Sequence, residues 1–278
     1  LTRKEFRTKA MACIGVSIGA AFSIAFILGP ILYAYIGIKG LFYLSVCLSI
    51  LAIITLLTIV PSPPKKVQNV NPPNLRDIKS VLVNTSLIKL DISIFSSHLI
   101  LMANFVAIPI TLRDSMQLAT ISHWQVYLTA IFISLFIMVP FIMFGERLKK
   151  ENLFLILSIL LIMLSQIGLA LFGLSLNLII IFLVLFFGAF NYLEALLPSK
   201  VSKTTQKNTK GTALGVYSTS QFIGIFIGGL AGGFFYQQFS LTSVHLFCLF
   251  ITFLWLLLIL FFSKNENLGK NELEEEAV

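Results

Sequence analysis

Residues Gly224–Gly233 read GIFIGGLAGG, within a run from Gly211 to Phe235 that holds no charged residue. In water, a glycine inside a helix costs about 1 kcal/mol relative to alanine. Five of them in so apolar a stretch point to a different solvent and a different purpose. Gly224, Gly228 and Gly232 fall four apart and share one helix face, with Gly229 and Gly233 beside them. In a bilayer a face without side chains lets two helix backbones approach closely, and such packing drives association there. The spacing predicts a transmembrane helix whose bare face is a seam between two helix bundles. It further predicts that the face of Gly224, Gly228 and Gly232 is under-packed in this chain, its partner helices lying upstream of Leu1.

The rest of the chain agrees with a lipid solvent. Of its 278 residues 57% are hydrophobic and 12% charged, with a mean hydropathy of +0.94. A soluble domain cannot hide that much apolar surface. The apolar runs reach the roughly 20 residues a helix needs to cross a bilayer. They lack strand alternation, so their backbone polar groups are satisfied within helices. The fold class is an all-α polytopic membrane protein with eight spans: 10–36, 41–60, 88–112, 123–144, 152–173, 176–197, 211–235 and 241–263. Cys13, Cys47 and Cys248 lie inside apolar blocks at wide spacing, as small hydrophobes and not as a disulfide or metal framework.

The net charge of +8 is a matter of orientation, not of nucleic acid. Eighteen of the 20 lysines and arginines fall before the first span, in or at the edge of every second connection, or after the last span; only Lys39 and Arg113 fall on the other side. Under the positive-inside rule both termini are expected in the cytoplasm of a multi-pass inner (plasma) membrane protein. The 61–87 stretch, PSPPKKVQNVNPPNLRDIKSVLVNTSL, reads as a cytoplasmic linker carrying a short amphipathic helix at LRDIKSVL. It divides residues 1–60, the last two helices of one bundle, from a six-helix bundle at 88–263. The acidic tail at 264–278 is expected to be disordered.

An internal repeat supports two bundles. AFILGPILYA, Ala25–Ala34, overlays GIFIGGLAGG at an offset of 199 residues, with Ala25, Gly29 and Pro30 opposite Gly224, Gly228 and Gly229. Tyr33 and Ala34 stand opposite Gly232 and Gly233, so the earlier copy keeps half of the bare face. Both segments run outward from the cytoplasmic side. Parallel repeats of a several-helix unit are a mark of secondary transporters. The offset places the start of the earlier unit about 110 residues before Leu1, so four more helices of the same protein are expected upstream.

The stretch GVSIGAAFSIAFILGP, with Gly15, Ala25, Gly29 and Pro30, resembles the antiporter signature of the major facilitator superfamily, in its twelve-helix drug:proton antiporter branch. LTRKEFRTKAMACIGVS, FNYLEALLPS and KGTALGVYSTSQFIGI are similar to the YajR-type subgroup. The resemblance runs to about Ser263 and covers helices five to twelve of such a fold. Two departures stand out: Tyr33-Ala34 replaces the closing double glycine, and a short acidic tail stands where the subgroup carries a soluble domain. GERLKK, with Gly145, Glu146, Arg147, Lys149 and Lys150, looks like a degenerate copy of the superfamily's loop motif. The resemblance implies a latch of the inward-closed state; the plainer reading is a basic loop obeying the orientation rule.

Ionisable groups inside spans are expensive and need a reason. Glu194 lies about one turn inside its span, with Asn191 three residues earlier on the same face. It reads as a proton-binding or gating carboxylate, or as a partner of Lys200 or Lys203. In the 88–112 span Asp91 and His98 share one face, while Ser93, Ser97 and Asn104 form a polar stripe. The resemblance implies that this helix lines a central cavity. His98 is a candidate for proton coupling, or a histidine bonded to a carbonyl of the next helix. Gln166, Tyr192, Tyr217, Ser220 and Gln221 are further candidates for cavity lining.

The function expected is secondary active transport: small molecules exchanged for protons by alternating access. No Walker-type motif appears, so a proton gradient and not ATP, with no bound cofactor and no metal, is the expected energy source. Two other readings compete: a truncated remnant that inserts without transporting, and a polytopic membrane enzyme. The enzyme needs clustered ionisable groups, and Glu194 and His98 are expected to lie well apart.

Overall fold

The computed structural model describes residues 7–61, 75–172, 175–206 and 209–275. The described elements are all helical: α1 (Arg7–Thr58), α2 (Leu75–Val83), α3 (Thr85–Ile110), α4 (His123–Arg147), α5 (Glu151–Phe172), α6 (Leu176–Thr204), α7 (Lys210–Gln238) and α8 (Leu241–Glu275). A π-helical turn at Thr111–Ser115 and a 3₁₀ turn at Thr120–Ser122 join α3 to α4. Among the described residues seven helices are long and apolar enough to cross a membrane. The first two expected spans run together in α1, a 52-residue helix broken at Gly37 (φ 63, ψ −178). That backbone conformation is essentially confined to glycine, and the break falls between the expected spans 10–36 and 41–60.

The chain divides into two compact units, one of Leu1–Pro72 with Ala119–Leu128, the other of Pro73–Leu118 with Thr129–Val278. In the first, α1 carries Ala25, Gly29 and Pro30, with Ala25 exposed and Gly29 and Pro30 half-buried. Gly15 lies outside the residues whose side chains are described.

The second unit begins at α2, where LRDIKSVL forms the short helix expected of it, with Val81 buried. Asn84 then caps α3, its Oδ1 accepting from the Leu87 amide at 3.2 Å, as N-cap asparagines do. The centre of the unit is α3, packed against α6, α7 and α8; α5 packs against α6 and α8. Ile94, Leu99, Ile100, Ile159, Leu183, Phe186 and Trp255 fill the core. Phe132, Phe136, Phe226, Leu230 and Phe250 face outward, an arrangement suited to hydrocarbon and not to water. In the tail the backbone stays helical to Glu275, against the expected disorder, because glutamate, leucine and lysine are good helix formers and extend a helix already nucleated.

The glycine face corrects the opening expectation. Gly224, Gly228 and Gly232 are buried against α3 of the same unit. A Cβ on Gly224 would overlap the Phe95 carbonyl, one on Gly228 the Leu99 carbonyl, and one on Gly232 would stand 3.0 Å from the Ala103 Cα. The offset between facing residues stays constant, so α3 and α7 lie parallel. The under-packed seam predicted at these three glycines is therefore absent: α3 fills it. Gly229 and Gly233, one residue round the helix, have nothing within 4 Å of such a Cβ.

Candidate functional site

His98 is buried on α3, and three helices meet at its ring. Its Nδ1 lies 3.2 Å from the Ile94 carbonyl of the same helix, with Ser97 Oγ at 3.5 Å. A carbonyl only accepts, so Nδ1 of the neutral ring carries the hydrogen and Nε2 is left to accept. Gln221 of α7 donates to it from its amide nitrogen at 2.8 Å. Glu194 of α6 brings Oε1 to 3.6 Å from the same Nε2. That separation is too long for a hydrogen bond, and Oε1 is buried with no hydrogen-bond partner among the described residues. Phe190, one turn before Glu194, sets its ring 5.2 Å from the imidazole. Tyr217, four residues before Gln221 on α7, is buried.

Local structure explains the convergence. Gln221 lies three residues before Gly224, and His98 three residues beyond Phe95, which Gly224 faces. The two are thus out of register by nearly two turns. Helical side chains lean toward their N-terminus, which in parallel helices carries His98 toward Gln221 but Gln221 away from it, so the long glutamine side chain extends along the seam to make the 2.8 Å contact.

Glu194 and His98, expected well apart, are thus adjacent, although 96 residues separate them in the chain. Pairing of Glu194 with Lys200 or Lys203 is replaced by ion pairs of both lysines to Glu151 of α5, at 3.7 and 3.2 Å. Asn191 does not share the site, since its Nδ2 donates to Ser134 Oγ of α4 at 3.2 Å. Ser97 adjoins the imidazole. Asn104 lies six residues beyond His98, buried at 2% exposure with neither amide atom bonded.

The GERLKK loop is a helix stop. Lys149 is left-handed (φ 53), with Lys149 N bonded to Glu146 O and Lys150 N to Gly145 O, both at 3.2 Å. This is the Schellman pattern that satisfies the last carbonyls of a helix. Lys150 O then accepts from the Leu153 and Phe154 amides and starts α5. Gly145 is buried because the Tyr192 hydroxyl would stand 3.1 Å from any Cβ there. Glu146 and Arg147 are exposed, as are both lysines.

Missed in the sequence are a contact and a residue. Gln221 was one of several possible cavity residues, and its contact with His98 had no local signal. His245 of α8, buried at 4%, drew no attention, yet its Nδ1 meets Gln166 Oε1 of α5 at 3.3 Å.

Long apolar helices and an outward apolar surface define a multi-pass membrane protein, with an imidazole–carboxylate–amide cluster within its spans. The chain belongs to the Major Facilitator Superfamily, whose family model matches residues 1–228 and 90–277 in two overlapping placements. It is similar to the inner membrane transport protein YajR of Escherichia coli K12, at 38% identity over 257 residues, 92% of this chain and 56% of that protein. It is also similar to the uncharacterized transporter BU466 of Buchnera aphidicola from Acyrthosiphon pisum, at 36% over 231 residues, 82% of this chain and 59% of the relative. A third relative, an uncharacterized transporter of Buchnera aphidicola from Baizongia pistaciae, is 31% identical over 252 residues, 90% of this chain and 64% of its own length. The chain thus spans rather more than half the length of these relatives.

Proposed function

We propose that this chain is part of a proton-coupled exporter of small, fairly apolar molecules that works by alternating access. Its partners are protons, the small-molecule substrate, the lipid bilayer and further helices of the same protein; no nucleic acid takes part. The basic loops and both ends of this chain lie on the cytoplasmic side of the inner membrane. The reading rests on one observation, the meeting of His98, Glu194 and Gln221 on three helices. A proton can enter at Glu194 Oε1 or at His98 Nε2. If the ring takes it, Nε2 becomes a donor, releases the Gln221 amide it had accepted from, and turns to Glu194 as its charge partner. Each proton thus changes which of α6 and α7 is tied to α3, the kind of bistable contact alternating access requires. Gly229 and Gly233 remain available on α7 for close approach of helices outside this chain.

The test is transport in everted membrane vesicles by the full-length protein, energised by an imposed pH gradient. Glu194→Gln and His98→Ala are each expected to abolish or shift the pH dependence of uptake while leaving membrane insertion intact. Unchanged pH profiles in both variants would remove the cluster from coupling.

A further inference from the structure

Beyond the proton site, the second unit holds another polar group that the proposed transport does not use. Gln166 on α5 is fully buried, with Nε2 unbonded, and its Oε1 accepts from Nδ1–H of His245, itself 4% exposed. Asn104 on α3 is 2% exposed, with neither Oδ1 nor Nδ2 bonded. In an apolar interior each unmade bond costs about 1–3 kcal/mol, and three such atoms belong to these two amides.

Helix geometry brings them to one level. Trp255 Nε1 donates to Ser93 Oγ at 3.1 Å, which fixes one level shared by α8 and α3. The 129-residue register shows α7 parallel to α3, and the tight turn at Phe239–Ser240 returns the chain, so α8 runs antiparallel to α3. Eleven residues up α3 from Ser93, about 16 Å along the axis and within about 20° of the same face, stands Asn104. Ten residues back along α8 from Trp255, about 15 Å, stands His245. Helix α8 packs on both α3 and α5, so Asn104 stands on α3 at the level of the His245–Gln166 pair.

The chemistry of the three groups is complementary. Asn104 Nδ2 and Gln166 Nε2 offer donors; Asn104 Oδ1 and the Nε2 lone pair of the neutral His245 ring offer acceptors. No carboxylate belongs to the group, which suits a neutral ligand with both donors and acceptors. Internal waters make two to four such bonds in buried polar sites. We propose that Asn104, Gln166 and His245 form a resident water site that joins α3, α5 and α8 into one rigid body. This assigns Asn104 to the interior of the bundle and takes it out of the transport pathway.

Hydroxyl-radical footprinting of the full chain in detergent tests this, because radiolysis of a bound water oxidises the side chains beside it even when bulk solvent cannot reach them. Trp255, 1% exposed, is the dry reference: a more reactive side chain in an equally buried place. His245 is expected to be oxidised at least threefold faster than Trp255 in the wild-type protein. Asn104→Leu, or Gln166→Leu if the first fails to fold, is expected to bring that rate down at least threefold. Wild-type His245 as inert as Trp255, or a rate untouched by a folded variant, overturns the site.

Discussion

The same substitution at two neighbouring glycines, Gly228→Ala and Gly229→Ala, is expected to have opposite effects. In the helical interior of α7 each gains up to about 1 kcal/mol in helix propensity. At Gly229 the new methyl meets nothing within 4 Å, so the variant is neutral or more stable. At Gly228 it overlaps the Leu99 carbonyl, and the Leu99 C and Cα stand only 2.8 Å away. Those are backbone atoms of a packed helix and cannot swing aside. Restoring ordinary contact requires α3 and α7 to part by roughly 1 Å, a gap that forfeits a quarter to a half of each dispersion contact. With contacts worth about 0.1–0.2 kcal/mol each and some dozens along the seam, the loss is about 2–3 kcal/mol. Net of propensity, Gly228→Ala is about 1–2 kcal/mol less stable, near a tenfold change in the folded-to-unfolded ratio. Unfolding in mixed micelles with increasing SDS, followed by helical circular dichroism, reads both variants on one scale. Equal midpoints for the two would refute the seam as described.

Lys149→Gly is expected to stabilise the α4–α5 turn by about 1 kcal/mol, since Lys149 occupies a left-handed conformation (φ 53) that costs a side-chain-bearing residue about that much; thermal denaturation checks it. Glu151→Gln, which removes the ion pairs to both Lys200 and Lys203, is expected to cost about 1 kcal/mol by the same measurement. Trp255→Phe removes the bond to Ser93 and part of a core side chain, at about 1–3 kcal/mol, and deletes the blue-shifted component of tryptophan emission. Gln221→Leu removes the donor to neutral His98. In the full-length protein it should lower transport severalfold and change how transport varies between pH 5 and pH 8, because the lost bond is one that only the neutral ring accepts. A uniform loss across that range counts against the role of Gln221.

Helices, span limits and the cost of Glu194 and His98 were legible in the sequence because they follow from local composition. Their partners were not. Three glycines four apart announce a close approach, but whether the approaching helix lies upstream of Leu1 or is α3 depends on how a 129-residue loop of chain closes. Nor does any spacing rule join His98 to Glu194, since each lies on its own helix and only packing puts them 3.6 Å apart. The available signal was one of level. Glu194 and YSTSQ both stand in the basic-side half of their spans, and a polar glutamine at the end of that phrase had to meet something.

The glycine seam and the imidazole cluster are one feature. Packed helices stand 8–10 Å apart depending on the side chains between them, and bare glycines place a pair at the short end of that range. Gln221 and His98 are out of register by nearly two turns, so their 2.8 Å bond survives only at the short end. A methyl on Gly224, the glycine nearest Gln221, would press on the Phe95 carbonyl and move the amide away from Nε2. Glu194, held on α6, would keep its place. Gly224→Ala in the full-length protein should therefore reproduce the pH-dependent defect of Gln221→Leu although it removes no polar group. If instead it lost stability without any change in the pH profile, the glycines would serve packing alone, and the cluster would owe its geometry to α6.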